Sequence, residues 1–406
     1  MPEETERIVV SGMGLITALG KGCTAHLAAL KLQKSGLRHP KILQTIHAAE
    51  FMLGEVQLDD AYMMSFLGIP TEKKGYSRTT LISLYGMADL LDSVDLSWLQ
   101  KQEKLAFINA NTVGGMSTVE NLYMEMISDR IDEETDQWID TVDCAESTEF
   151  VARFFGLKPA MATISTACSS SANSIIVGAR MLQHGLADVV VAGGGDALSR
   201  FTLNGFHSLK NVDREACKPF DQNRNGLNLG EGAGYVLLER ESTARARGAN
   251  ILAILSGYSN HNDAYHPTAP SPDGSGAVRT MLGALEHAGL PPESIHYINA
   301  HGTATLNNDH AEGLAIQQLW DGNPPAFSST KPFTGHTLAA AGVVEAILSI
   351  VAMNEGMIPP NLNWTTKMEE LEVAPSTLPK EQNIDHVMSN SFGFGGNNVS
   401  LIFSKA

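Results

Sequence analysis

The chain has 406 residues, 43% of them hydrophobic and 18% charged, enough for two or three ordinary domains or one large unit of two halves, and too apolar for disorder over most of its length. A formal charge of −17 argues against nucleic acid as a main partner, because phosphate binding needs a dense basic surface. The longest apolar runs, 189–192 and 343–352, are too short or too interrupted to span a bilayer, and the acidic N-terminus lacks a targeting pattern, so a cytoplasmic protein with reduced cysteines and no membrane partner is expected.

Short β-branched runs alternate with longer helical patterns, beginning at 8–10 and returning at 105–108 and 188–191, which predicts an α/β architecture. The first run leads into Ser11-Gly12-Met13-Gly14-Leu15, which is glycine-rich like a dinucleotide-binding turn but lacks that fingerprint's third glycine. Further clusters at Gly114-Gly115, at Gly193-Gly194-Gly195 before Asp196, and at Gly393 with Gly395-Gly396 place strand-end turns where backbone must approach something closely. An acidic stretch, 131–143, reads as solvated surface. A charged, helix-like segment around 239–250 marks a seam, which divides the chain into halves 1–248 and 249–406.

Four segments carry chemistry. In the first, 163–180, a strand-like run gives way to a helical pattern near Cys168. A cysteine at a helix N-terminus has its thiol pKa lowered from about 8.5 by the dipole and the unpaired N–H groups, which makes it a nucleophile. The same residue also reads as a packed structural cysteine. In the second segment, 297–312, a short strand ends at His301, with Thr303 and Thr305 just beyond. In the third, 328–345, Lys331 and His336 flank a turn that opens a small-residue helix. The fourth, 389–403, is a glycine-rich turn around Phe394 before a terminal strand, and its N–H groups suit an oxyanion.

Together these segments resemble the β-ketoacyl-[acyl-carrier-protein] synthases, in the elongating branch whose catalytic set is Cys-His-His on the thiolase-like fold. A fifth stretch adds to the likeness: Lys218-Pro219-Phe220-Asp221, Arg224 and Gly230-Glu231-Gly232 match the family's PFDxxRxGFxxGEGAG element. The resemblance implies two similar halves in an α-β-α-β-α sandwich and decarboxylative condensation of a malonyl-carrier with an acyl group held on Cys168. It casts His301 and His336 as the condensation histidines, Lys331 as their supporting lysine and Phe394 as the gating residue. Thr303 and Thr305 match contacts to the carrier's pantetheine arm. Asn299, Glu345, Ser389 and Asn390 match positions that hold a structural Na+ or K+, while no cofactor is required for the chemistry.

The sequence also departs from the family pattern. Leu227 stands where phenylalanine is usual, Leu306 where proline is, Asn308 where glycine is and Asn397 where threonine is; the segment 62–78 differs as well. Leu227 and Asn397 are expected near the catalytic chamber, and asparagine at 308 tolerates a positive φ. The implied partner is an acyl carrier protein, met by a local basic patch drawn from Lys73, Lys74, Arg78, Lys210, Arg214 and Lys218. A homodimer is implied, with pairing to a related subunit left open. Two other readings remain: a non-catalytic chain-length partner, whose relatives usually lack the nucleophile, and a nucleotide-binding oxidoreductase resting on the glycine clusters. A thiolase proper is disfavoured, because its second base is normally a C-terminal cysteine and the last cysteine here is Cys217.

Overall fold

The computed structural model describes residues 6–73, 75–128 and 138–406, without the side chains of 124–126. The run expected at 8–10 extends to Thr17 as β1 (Ile8–Thr17), so the first glycine motif lies inside a strand. A Cβ on Gly14 would come within 2.3 Å of the Leu90 backbone nitrogen and one on Gly12 within 2.7 Å of Val94, so these glycines seat the helix Arg78–Leu91 on the sheet. The glycines before Asp196 also lie within a strand, β5 (Val189–Asp196), where a Cβ on Gly194 would meet the Ala110 carbonyl at 2.5 Å. Close packing thus accounts for both clusters, and neither forms a dinucleotide-binding or strand-end turn.

The remaining strands are β2 (Gly20–Lys21), β3 (Leu105–Ala110), β4 (Ala160–Ile164), β5 (Val189–Asp196), β6 (Gly232–Arg240), β7 (Ala253–Asn262), β8 (Tyr297–Asn299), β9 (Ala326–Ser328), β10 (Met357–Ile358), β11 (Lys380–Glu381), β12 (His386–Phe392) and β13 (Asn397–Ser404). Ten of them follow the path β4-β3-β5-β6-β1-β7-β13-β12-β8-β9, with β2 attached to β1 and β10 paired with β11 apart from the sheet. The path reads the same from either end. In each half two parallel pairings are followed by two antiparallel ones. The halves meet where Ile8–Val10 pair antiparallel with Ala253–Leu255.

The helices Ser170–Gln183 and Ala341–Glu355 pack on each other between the two halves of the sheet. Arg78–Leu91 and Cys144–Phe154 cover the outer face of the first half, and Ser275–Ala288 and Leu306–Leu319 cover that of the second. Three apolar cores fill the gaps, one central and one beneath each outer helix pair. This is the five-layered sandwich. The helical stretch Leu338–Glu355 is, with a mean hydropathy of 1.6, longer and more apolar than the 343–352 run suggests, enough by composition to cross a membrane. It lies in the central layer, where 89% of its residues are buried.

Of the acidic stretch, 131–137 lies outside the described residues, while Asp140 and Asp143 are exposed. Asn308 sits in the helix Leu306–Leu319, so the positive φ expected there is not needed; the left-handed residue of that loop is Ala304, at φ 66°.

Candidate functional site

Cys168 lies on a tight turn between β4 and the helix Ser170–Gln183, and Ala167 before it is left-handed at φ 52°. Such a conformation costs about 1 kcal/mol or more and persists only where its surroundings impose it. Here Ser170 imposes it: its hydroxyl accepts from the Thr166 N–H (2.8 Å) and donates to the Ala167 carbonyl (2.6 Å). The thiol is buried, and the backbone N–H groups of Phe394 and of Cys168 itself favour its thiolate. Burial pushes its pKa up to about 11, outweighing the nearby Lys331 charge and the two N–H groups. The lowered pKa expected from a helix N-terminus is therefore not found: the cysteine precedes the first helical residue by two, and loss of water dominates.

His301 follows β8, and a buried carboxylate fixes its backbone: the N–H groups of His301 and Gly302 donate to the two oxygens of Glu312 at 2.9 and 2.8 Å. His336 lies between β9 and the helix Ala341–Glu355, where its N–H donates to the Asn228 carbonyl (2.8 Å). One ligand-type atom each from Cys168, His301 and His336 fall within 4.8 Å of one another. The two imidazoles meet edge to face with centroids 5.4 Å apart. Lys331 Nζ donates to the His301 carbonyl (2.6 Å) and to Glu345, and lies 3.3 Å from His301 Nδ1.

These contacts decide the tautomers. His336 Nδ1 accepts from the Leu338 N–H (3.2 Å), and His301 Nδ1 faces the Lys331 ammonium, so each neutral ring carries its proton on Nε2. Burial holds both histidines well below the usual pKa, helped by Lys331 and, for His301, by His336. His336 Nε2 is buried without a partner among the described residues. An unspent, fixed N–H beside a cysteine suits donation to a developing oxyanion. It does not suit metal ligation, which needs a bare Nε2.

Cys168 opens onto two cavities. One, of about 360 Å³, is lined by His301, His336, Thr303, Thr305 and Leu227. The other, of about 450 Å³, is walled by Val113, Phe201, Phe206, Leu209, Leu338 and Phe394 and is almost wholly apolar. Phe394 and Phe206 border both and stack on each other, with centroids 5.6 Å apart and planes 18° from parallel. Leu227 thus stands at the chamber as expected, and exposed Leu306 lies at its mouth. Asn397 lines neither cavity.

The expected cation ligands come together in part. Glu345 Oε2 and Ser389 Oγ are buried with no partner among the described residues, which leaves two oxygens free for a cation. The Asn390 side chain is committed, accepting from Ser400 (2.8 Å) and donating to Glu312 (3.2 Å), while the Asn299 amide spans Thr330 and the Glu345 carbonyl.

The basic patch does not form as expected. Arg78 is buried and bound to Glu231 and to Asp60 (2.6 Å), so it faces no partner. Lys74 lies outside the described residues, and Lys73 borders a different groove. Arg214 pairs with Glu50 (2.8 Å) and Lys218 with Glu215 (2.6 Å), leaving exposed Lys210 at the chamber mouth.

Several residues that shape the site had no role in the sequence reading. Besides Glu312, Arg224 donates to the carbonyls of Leu306 (2.7 Å) and Asp221 (3.0 Å), fastening the loop that bears Thr303 and Thr305. Buried Asp196 accepts from the N–H groups of Thr112, Val113 and Ala339, joining two walls of the apolar cavity. Only Asp196 carried a sequence signal of its own, a charge closing an apolar run; Arg224 stood in the family motif without an assigned role, and Glu312 ends a polar stretch.

The family model for the β-ketoacyl synthase N-terminal domain matches residues 5–244, and that for the C-terminal domain matches 252–365. The chain belongs to the β-ketoacyl synthase family. As a β-ketoacyl synthase it is a condensing enzyme of the acyltransferase type. It is 33% identical to the 3-oxoacyl-[acyl-carrier-protein] synthase 2 of Vibrio cholerae, over 98% of this chain and 99% of that one. Among solved structures it resembles the ishigamide ketosynthase/chain length factor, with a TM-score of 0.90 and 28% identity over 99% of this chain and 100% of that one. A ketosynthase solved with its chain length factor from Xenorhabdus doucetiae gives a TM-score of 0.85 and 30% identity, with both chains fully covered.

Proposed function

We propose that this synthase joins an acyl group held on Cys168 to a malonyl group carried by an acyl carrier protein, releasing carbon dioxide. Cys168 sulfur attacks the acyl-carrier thioester, and the N–H groups of Cys168 and Phe394 hold the oxyanion. Collapse expels the carrier thiolate, which leaves as a thiol with the proton the cysteine gave up. The malonyl thioester, its pantetheine arm lying along Thr303 and Thr305, then loses carbon dioxide. Its enolate oxygen receives hydrogen bonds from the Nε2–H groups of His301 and His336, and the enolate carbon attacks the acyl-cysteine carbonyl. The second tetrahedral intermediate expels Cys168, which takes up a proton.

The observation that carries this reading is the unspent Nε2–H of His336, in a ring fixed by the Leu338 N–H and grouped with Cys168 and His301 within 4.8 Å. The apolar second cavity supports a long, unfunctionalised acyl tail. Glu345 and Ser389, with Asn299 and Asn390 beside them, would hold a structural Na+ or K+ whose charge steadies the carboxylate that Lys331 binds. A cytoplasmic location belongs to the same reading.

For assembly we propose a dimer. β4 is a sheet edge, and Met161 on it is exposed. The similar ketosynthases solved with chain length factors favour a related subunit as a second option for the partner. Retention of the cysteine and both histidines favours this chain as the catalytic member of any such pair.

The test is intact-mass analysis of wild type and Cys168→Ala after exposure to a panel of acyl-carrier conjugates. Adducts on wild type and none on the variant are expected. An adduct that survives in Cys168→Ala would remove Cys168 as the acyl acceptor.

A further inference from the structure

Asn397 is the first residue of β13, directly after the glycine turn that carries Phe394. Its backbone carbonyl accepts from the Gly393 N–H (2.9 Å), which closes that turn into a ring. Its side-chain carbonyl faces three donor groups: the Asn173 amide (2.8 Å), the Asn260 amide (3.2 Å) and the Ser169 hydroxyl (2.8 Å), whose single proton is shared with the Thr166 carbonyl at 2.8 Å. Asn173 also donates to Thr166 (2.9 Å) and accepts from Asn260 (2.6 Å), so strand β7, the central helix and the cysteine turn share one amide network. A single side chain therefore ties positions on both sides of Cys168, Thr166 two residues before it through Asn173 and Ser169 just after it directly, to the loop of Phe394. The two segments touch: a Cβ on Gly393 would stand 3.3 Å from the Cys168 nitrogen.

The backbone N–H groups of Phe394 and Cys168, which favour the thiolate, belong to these two segments, one to each. Their separation is set by whatever holds the segments together, and a shift of about 1 Å between such groups can cost roughly a hundredfold in rate. We propose that Asn397 is a positioning residue that clamps the Phe394 loop to the Cys168 turn, and so sets both the spacing of the oxyanion donors and the access of reagents to the thiol. A threonine hydroxyl sits one bond nearer the backbone than the asparagine amide oxygen, so from that position it does not reach the same set of donors. The catalytic meaning of the clamp rests on Cys168 being the acyl acceptor. Its mechanical meaning does not.

The experiment compares wild type with Asn397→Ala, Asn397→Thr and Ser169→Ala, the last removing the direct bridge from the other side. Two rates are read at Cys168 by intact mass: alkylation by iodoacetamide, and single-turnover acylation by an octanoyl-loaded carrier protein. In Asn397→Ala alkylation is expected to rise several-fold as the loop loosens, while acylation falls by about tenfold to a hundredfold in maximal rate with little change in half-saturating carrier. Asn397→Thr and Ser169→Ala are expected to move both rates the same way by less. A merely structural role would lower both rates together. Unchanged alkylation in Asn397→Ala and Ser169→Ala, or a parallel fall of both rates, overturns the clamp. Wild type that is alkylated yet never acylated would instead overturn the acyl-acceptor reading, with the alkylation comparison still deciding the clamp.

Discussion

The two halves of the sheet have the same strand order and pairing, yet corresponding places in them do different work. Cys168 sits between the edge strand β4 and the first central helix; His336 sits between the edge strand β9 and the second. The segment after β3 supplies Thr112 and Val113 to the apolar cavity, and the segment after β8 supplies His301 to the polar one. β5 ends in Asp196, which braces the cavity wall, while β12 hands on to Gly393 and Phe394 beside the sulfur. Topology fixes the locations, and residue type alone gives the first half the thiol and the second the two imidazoles.

Separating those two tasks is the strongest way to break the comparison. His301→Ala and His336→Ala are each expected to slow condensation by about 10²- to 10³-fold, the usual cost of one oxyanion donor, while the acyl adduct on Cys168 still forms. Loss of the adduct in either variant, by intact mass, would mean that the halves do not divide the reaction. The thiol gives a sharper reading of the first half. With its pKa near 11, the thiolate fraction climbs with pH until that value is passed, so alkylation of Cys168 should rise about tenfold per pH unit from pH 7 to 9. Levelling near pH 8.5 would show an ordinary solvated thiol. Glu312→Ala probes the second half by stripping the acceptor from two buried N–H groups, at about 1–3 kcal/mol each. It should lower Tm and slow condensation by about tenfold while sparing acylation, and Glu312→Gln should recover part of both. Equal loss of acylation would show the damage to be global.

Much of this was legible in the sequence because it is local. β-Branched runs marked the strands, and the cysteine, histidine and lysine segments each announced a strand end followed by small residues. What escaped depends on partners far away in the chain. Arg78 read as a surface charge because its carboxylate, Glu231, lies 153 residues further on. Gly12 and Gly14 read as a turn because the helix that needs their bareness begins at Arg78. The acidity expected of Cys168 followed from one helix, whereas burial is made by both halves at once. Asn397 was placed at the chamber by the family resemblance, whereas the groups its side chain meets belong to Ser169, Asn173 and Asn260.

The paired central helices also impose an order of events during synthesis. Ser170–Gln183 leaves the ribosome with an apolar face whose cover, Ala341–Glu355, is still untranslated. At about 5–20 residues per second, that face waits roughly ten to thirty-five seconds. For that interval the nascent chain presents the sticky surface that holdase chaperones capture, and pauses in translation between the two helices would lengthen the exposure.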